Sequence, residues 1–118
     1  MDLMPTFAEI AGIKIDHEID GENLAPIWLE GKKGNPDRIL IWVRREGNSR
    51  HQGRCYYAIR KGDWKLLQNH PFEPMQLINV RNDPLEQSPM PVSHPQARKL
   101  TTTLMAHIQK SGNQTWQR

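Results

Sequence analysis

The side chains best suited to ligand chemistry are concentrated between positions 44 and 54 of the chain. Guanidinium and imidazolium groups bind sulfate, phosphate and carboxylate through charge-assisted hydrogen bonds. The segment contains one acid, Glu46, and five basic side chains, Arg44, Arg45, Arg50, His51 and Arg54. It is therefore predicted to contact an anionic ligand, with Arg44, Arg45 and His51 as candidate substrate-facing residues. A solvated basic loop is equally consistent with this sequence.

Other reactive side chains lack the spacing that catalysis or metal binding needs. Cys55, the only cysteine, lies in a strand pattern and is predicted to be a small buried side chain rather than a nucleophile. Asp16 to Gly21 resembles the opening of a calcium loop, but the position of the bidentate glutamate falls on Ile27. No two of the five histidines have ligand spacing on one element. The sequence predicts no catalytic residue and no metal ligand in this chain.

A predicted antiparallel sheet must position the basic segment. Cys55, Tyr57 and Ile59 alternate with more polar neighbours, and a turn at Gly62 separates this run from a second one that begins at Trp64. A helix beginning at Pro95 is predicted to cover one face of the sheet. The fold class is therefore α+β, a small four-stranded antiparallel sheet packed against a C-terminal helix. The predicted strands lie near 38–43, 55–60, 64–67 and 76–80, and the helix near 95–110.

Short helices are predicted before the sheet. The first is capped by Asp2, and the second covers residues 23–29. Residues 1–35 are thus expected to form an N-terminal helical segment, and residues 36–118 the α+β domain. Four apolar side chains of the first segment are expected to need a partner surface: Leu3, Phe7, Ile10 and Trp28.

Composition limits the possible functions. The chain has 118 residues, of which 36% are hydrophobic, so its core is thin and it would gain from packing against a larger partner. A net charge of +3 favours anionic partners without requiring nucleic acid. The charge is too small to predict nucleic acid as a partner. No stretch approaches the roughly 18 apolar residues of a membrane helix, so a membrane is not predicted as a partner either.

Five short motifs occur in this order along the chain: Met1 to Gly12, Asp20 to Gly31, Ala58 to Leu66, Met75 to Asn79 and Asn82 to Gln87. As an ordered set they resemble the C-terminal part of a sulfatase of the arylsulfatase type, in the alkaline-phosphatase-like superfamily. The resemblance covers roughly residues 1 to 110. Ile78, where tyrosine is common, and residues 88–92 depart from the family pattern.

The resemblance implies that residues 1–35 close a large α/β domain and that the small sheet then packs beside the active site. The family's formylglycine nucleophile and its calcium ligands belong to upstream motifs that are absent here, so this chain is expected to bind no cofactor itself. It would be a fragment or an excised part of a longer enzyme and inactive alone. The implied partners are a sulfatase N-terminal catalytic domain, or a second copy through the N-terminal helices, and a sulfated anionic ligand. Periplasmic, extracellular or lysosomal location is usual for the family.

Two functions remain open from the sequence. The first is the C-terminal portion of a sulfuric ester hydrolase acting on sulfated glycans or aryl sulfates, where it completes the fold and one substrate wall. The alternative is a stand-alone basic module that binds polyanions such as sulfated glycans through residues 44–54.

Overall fold

A computed structural model describes residues 1–45, 55–70 and 72–112 of the chain. It contains short N-terminal helices, a four-stranded antiparallel sheet and a C-terminal helix, which confirms the α+β prediction. The chain divides into two compact units, Met1–Asn35 and Pro36–Arg118.

The first unit contains two short helices, α1 (Leu3–Ile10) and α2 (Ala25–Glu30). Helix α2 ends at Gly31, whose φ of 66° is left-handed, a conformation that glycine adopts without steric cost. The rings of Phe7 and Trp28 meet edge to face with centroids 6.3 Å apart. Both rings remain about half exposed, at 56% and 50%. Leu3 and Ile10 are similarly exposed, so this unit keeps most of its large apolar side chains at the surface.

The second unit begins with a sheet of four antiparallel strands in the order β1-β2-β3-β4. All four predicted strands are present, within two residues of their expected ends. The main difference is at β1, which was predicted to stop at Val43 but continues through Arg45. The strands are β1 (Ile39–Arg45), β2 (Cys55–Lys61), β3 (Trp64–Gln68) and β4 (Gln76–Asn79).

A two-residue turn, Gly62-Asp63, joins β2 to β3, because Lys61 pairs with Trp64 in the register. Gly62 has a φ of 56°, whereas Asp63 is not among the residues with positive φ. Glycine at the first central position is the requirement of a type II′ turn, whose twist matches that of the strands. The turn therefore fixes the register that puts Ile59 opposite Leu66.

Helix α3 (Pro95–Gly112) packs on one face of this sheet and creates the core of the second unit. Because side chains alternate along a strand, Ile59 and its neighbours Leu66 and Leu77 project to the same face. These three side chains are fully buried. The helix contributes a small apolar group spaced three and four residues apart, as expected for one helical face: Ala97, Leu100 and Leu104.

Candidate functional site

Two of the three predicted anion-binding residues, Arg44 and Arg45, are at the end of strand β1. Arg44 pairs with Tyr56 and Arg45 with Cys55, so both arginines belong to the sheet rather than to a loop. The Arg44 side chain is exposed. His51 and the rest of the segment from 46 to 54 lie outside the described residues. The structure thus places two of the three candidates side by side on one strand.

Arg44 lies on the sheet face opposite helix α3. Ile41 packs against the core beneath α3, and Trp42 and Arg44 occupy the alternate positions on the other face. An exposed guanidinium at a strand end can donate two parallel hydrogen bonds to a sulfate or carboxylate group. Solvent screening limits each such contact to about 1 kcal/mol. An arginine in this position could bind and orient an anionic group.

Three histidines in the described part of the chain take part in local structural contacts. His94 stacks on Trp64 with ring centroids 4.8 Å apart, and its Nδ1 accepts a hydrogen bond from the Gln96 backbone N–H at 3.2 Å. His70 Nδ1 accepts from the Phe72 backbone N–H at 3.3 Å. His17 Nδ1 lies 3.2 Å from the exposed carboxylate of Asp16. These contacts fit capping and surface roles.

Among the described residues, no cluster of side chains fits the calcium ion that the resemblance implies for the parent family. Within residues 1–45, 55–70 and 72–112, no three His, Cys, Asp or Glu side chains come together as a possible metal site. The carboxylates of Asp16 and Asp83 serve instead as partners for His17 and for backbone N–H groups. No step of a reaction is therefore assigned to a metal held by these residues.

Several motif residues proved to be structural, and the clearest case is Thr6. Its side chain is fully buried; Oγ1 donates to the Asp2 carbonyl at 2.6 Å and accepts from the Leu24 backbone N–H at 2.9 Å. Asp2 makes no side-chain cap, contrary to the sequence prediction; its Oδ1 accepts from the Glu22 backbone N–H at 3.1 Å. No local sequence pattern predicts this link, because the bonded pairs are 18 and 20 residues apart.

The motif after strand β4 also builds a turn. Asn79 Oδ1 accepts from the Arg81 and Asn82 backbone N–H groups, at 3.2 and 3.1 Å. The Asp83 carboxylate then accepts from the backbone N–H groups of Gln87 and Ser88, at 3.1 and 2.8 Å. These side chains replace the ladder bonds that end with the strand, so this part of the chain can reverse direction.

A charged contact connects the same turn to the sheet. The Lys65 ammonium lies 2.6 and 2.7 Å from the two carboxylate oxygens of Glu86, and both side chains are partly shielded from solvent. Glu86 has a φ of 57°, an unfavourable conformation for a residue with a side chain. The ion pair helps to hold the segment in that conformation.

A cleft of about 500 Å³ lies at the end of the sheet away from Arg44. It opens between the Gly62 turn and the first half of helix α3, and Trp64 forms part of its wall. Two lysines and two aspartates among its lining residues balance in formal charge: Lys61, Lys99, Asp37 and Asp63. The cleft has no excess positive charge and is therefore a weaker candidate for an anion than the end of β1.

Taken together, these features define a small α+β domain that has two consecutive arginines at a strand end, of which Arg44 is exposed, and that uses its motif residues in turns. A family model described as N-sulphoglucosamine sulphohydrolase, C-terminal, matches residues 1–114. The chain belongs to this family, so it is a C-terminal domain of the sulfatase type.

Known sulfatases resemble the chain in both sequence and fold. An N-acetylglucosamine-6-O-sulfatase from Bacteroides thetaiotaomicron is 27% identical to it over 90 residues. The structure of BT4656 in complex with its substrate D-glucosamine-2-N,6-O-disulfate matches 97% of the chain with a TM-score of 0.73 and 20% identity. BT1596, a 2-O GAG sulfatase, matches 93% of it with a TM-score of 0.62 and 24% identity. At these identities the structural matches establish the fold.

The chain corresponds to only a small part of each relative. The aligned region makes up 16% of the N-acetylglucosamine-6-O-sulfatase. It makes up 24% of the BT4656 chain and 23% of the BT1596 chain. The homologous proteins are therefore much larger sulfatases in which this domain is one component.

Proposed function

We propose that this chain serves a sulfatase acting on sulfated glycans, by completing the enzyme's fold and forming one wall of its substrate site. The observation that supports this most directly is the family match over residues 1–114. The relatives named above act on, or bind, sulfated sugars according to their names. A sulfated glycan is therefore the proposed substrate class.

The proposed substrate wall consists of Arg44, Arg45 and His51. Arg44 and Arg45 are consecutive on β1, and the intervening segment up to Cys55 carries further basic side chains. Sulfate groups on a glycan would be attracted to this concentration of positive charge. The residues would bind and orient the substrate without taking part in bond breaking.

The bond-breaking groups are proposed to belong to a separate N-terminal catalytic domain. Hydrolysis of a sulfate ester needs a nucleophile and stabilisation of the charge that develops on the sulfate oxygens. Cys55 lies in strand β2 and its sequence context, Cys-Tyr-Tyr-Ala-Ile, is not a formylglycine motif. Formylglycine and calcium are therefore expected in the catalytic domain, and the chain alone is expected to be inactive.

The alternative, a stand-alone module that binds polyanions, is favoured by the exposed Arg44 and by a pI near 9.2. The two functions predict different behaviour. A module should bind a sulfated glycan by itself with useful affinity and strong salt dependence. A domain that forms only one wall should bind weakly alone and gain affinity when the catalytic domain is present.

The experiment is an assay of the purified chain with an aryl sulfate and calcium, beside a control preparation that carries only the purification tag. We expect turnover equal to that of the control, because single losses of catalytic groups commonly cost a hundred-fold or more. The same chain is then titrated with a sulfated oligosaccharide, with and without the sulfatase catalytic domain. Turnover above the control would contradict the assignment of the chemistry. Tight binding by the chain alone would favour the stand-alone module.

A further inference from the structure

Strand β1 has the sequence of a strand covered on both faces, yet it lies at an edge of the sheet. Residues 39–43 read Ile-Leu-Ile-Trp-Val without a polar residue, and continuous apolar runs are typical of strands buried on both sides. Three of these side chains remain 44%, 50% and 43% exposed: Ile39, Trp42 and Val43. The described residues therefore bury the apolar side chains of β1 less than a strand sequence of this kind predicts.

The exposed apolar side chains occur on both faces of β1. Ile41 packs against the core beneath helix α3, so Ile39 and Val43, two positions away on either side, share that face. Trp42 projects from the opposite face, where its register partner on β2 is Ala58. A partner that covered only one face would leave either Trp42 or the other two exposed.

The two edges of the sheet differ. Beside β4, the Met90 backbone N–H donates to the Leu77 carbonyl at 2.7 Å, so another part of the chain already bridges to that edge. Among the described residues, the sheet order has no strand beyond β1. Apolar edge strands without prolines or charges pair readily with other chains, and residues 39–43 contain neither.

We propose that β1 is the docking strand for the catalytic domain of the sulfatase, and that Ile39, Trp42 and Val43 are buried in that contact. This inference rests on the proposed function. The homologous chains extend over about four times the length matched here, which makes the remainder of the enzyme the largest body available to cover the strand. Arg44 shares a face with Trp42, so the same contact would bring Arg44 to the catalytic domain.

The test measures, by calorimetry, binding of the full 118-residue chain to a separately produced catalytic domain of the sulfatase to which this domain belongs. Trp42→Lys and Val43→Glu alter opposite faces of β1 at side chains that are already half exposed. Phe72→Lys is the matched control, because Phe72 is 92% exposed and lies outside β1. Buried tryptophans are frequent hot spots, so we expect each β1 variant to weaken binding about ten-fold or more and the control to leave it unchanged.

Hydrogen exchange provides a second measurement that does not depend on variants. The amides of Ile39–Arg45 should exchange more slowly in the wild-type chain once the catalytic domain is bound. Binding that neither β1 variant weakens would overturn this inference and leave the proposed function intact. Protection of β1 in a homodimer, or by residues 1–35, in the absence of the catalytic domain would also overturn it. Absence of any association would overturn both.

Discussion

Thr6 shows how one hydroxyl connects two distant segments of the first unit. It donates to the Asp2 carbonyl and accepts from the Leu24 N–H, so both its hydrogen-bonding capacities are used in a site without solvent access. Gly21 allows the same two segments to lie close together, because a Cβ at this position would lie 2.4 Å from the Met1 carbonyl oxygen. Residues 20–24 can therefore run close to the start of α1 only with this pair of residue types.

We expect Thr6→Val to destabilise the chain by about 1–3 kcal/mol, because the partly buried Leu24 N–H loses its acceptor. Thr102→Val is the matched control: Thr102 Oγ1 also donates to a carbonyl four residues earlier, at 3.0 Å, but is exposed and accepts no bond of this kind. The control should change stability by less than about 0.5 kcal/mol. Urea unfolding gives the free energies, and amide exchange of Leu24 reports the local effect. Equal losses in the two variants would contradict the role given to Thr6.

The β2–β3 hairpin is the element on which the second unit depends. Its turn sets the pairs between β2 and β3, and those pairs place Ile59 and Leu66 under helix α3. A shift of one residue would turn every core side chain to the opposite face. The glycine at the turn therefore contributes to the core although it makes no core contact.

Gly62→Ala is expected to destabilise the fold by about 1–2 kcal/mol, the usual cost of a left-handed conformation for a residue with a Cβ. Crowding is not the cause, since the nearest atom to a Cβ at this position is the Pro36 carbonyl oxygen at 3.5 Å. Gly62→Asn should lose less, because asparagine tolerates positive φ better than alanine. Thermal unfolding followed by circular dichroism ranks the three proteins. A Gly62→Ala protein as stable as the wild type would show that the turn adopts another conformation.

At the scale of the whole molecule, the distribution of charge and apolar surface fits a component of a larger enzyme. Basic residues lie at one end of β1, and its apolar residues remain exposed on both faces. In the part of the chain that the structure describes, no helix is long and apolar enough to cross a membrane. Exposed apolar side chains on both faces of β1 suit burial against a protein partner.

In the sulfatase containing this domain, Arg45→Ala is expected to raise KM for a sulfated glycan about two- to five-fold with little change in kcat. The reason is that a screened contact with sulfate contributes at most about 1 kcal/mol. Arg98→Ala, an exposed arginine on α3, serves as the control for loss of one positive charge. The difference between the two variants should shrink at high ionic strength. An unchanged KM in Arg45→Ala at low salt would remove this residue from the proposed substrate wall.

The sequence by itself determined the fold class, the four strands and the C-terminal helix. Those features depend on local patterns: alternation in the hairpin, a glycine where the turn needs positive φ, and apolar residues repeating along α3. The ordered motifs also identified the sulfatase family. The continuation of β1 through Arg45 was missed, because arginines beside a glycine-containing segment are typical of a loop and only pairing with Cys55 shows the strand.

Only the tertiary structure decided which hydrogen bonds the motif residues make and which apolar side chains stay exposed. Asp2 was predicted as a helix cap, yet its carboxylate accepts from Glu22, a contact that no local pattern contains. Likewise, residues 39–43 indicate a buried strand, and only the strand order shows that β1 lies at the edge. Hydrogen bonds and burial between residues far apart in sequence depend on how the elements pack, and therefore the chain's local composition could not specify them.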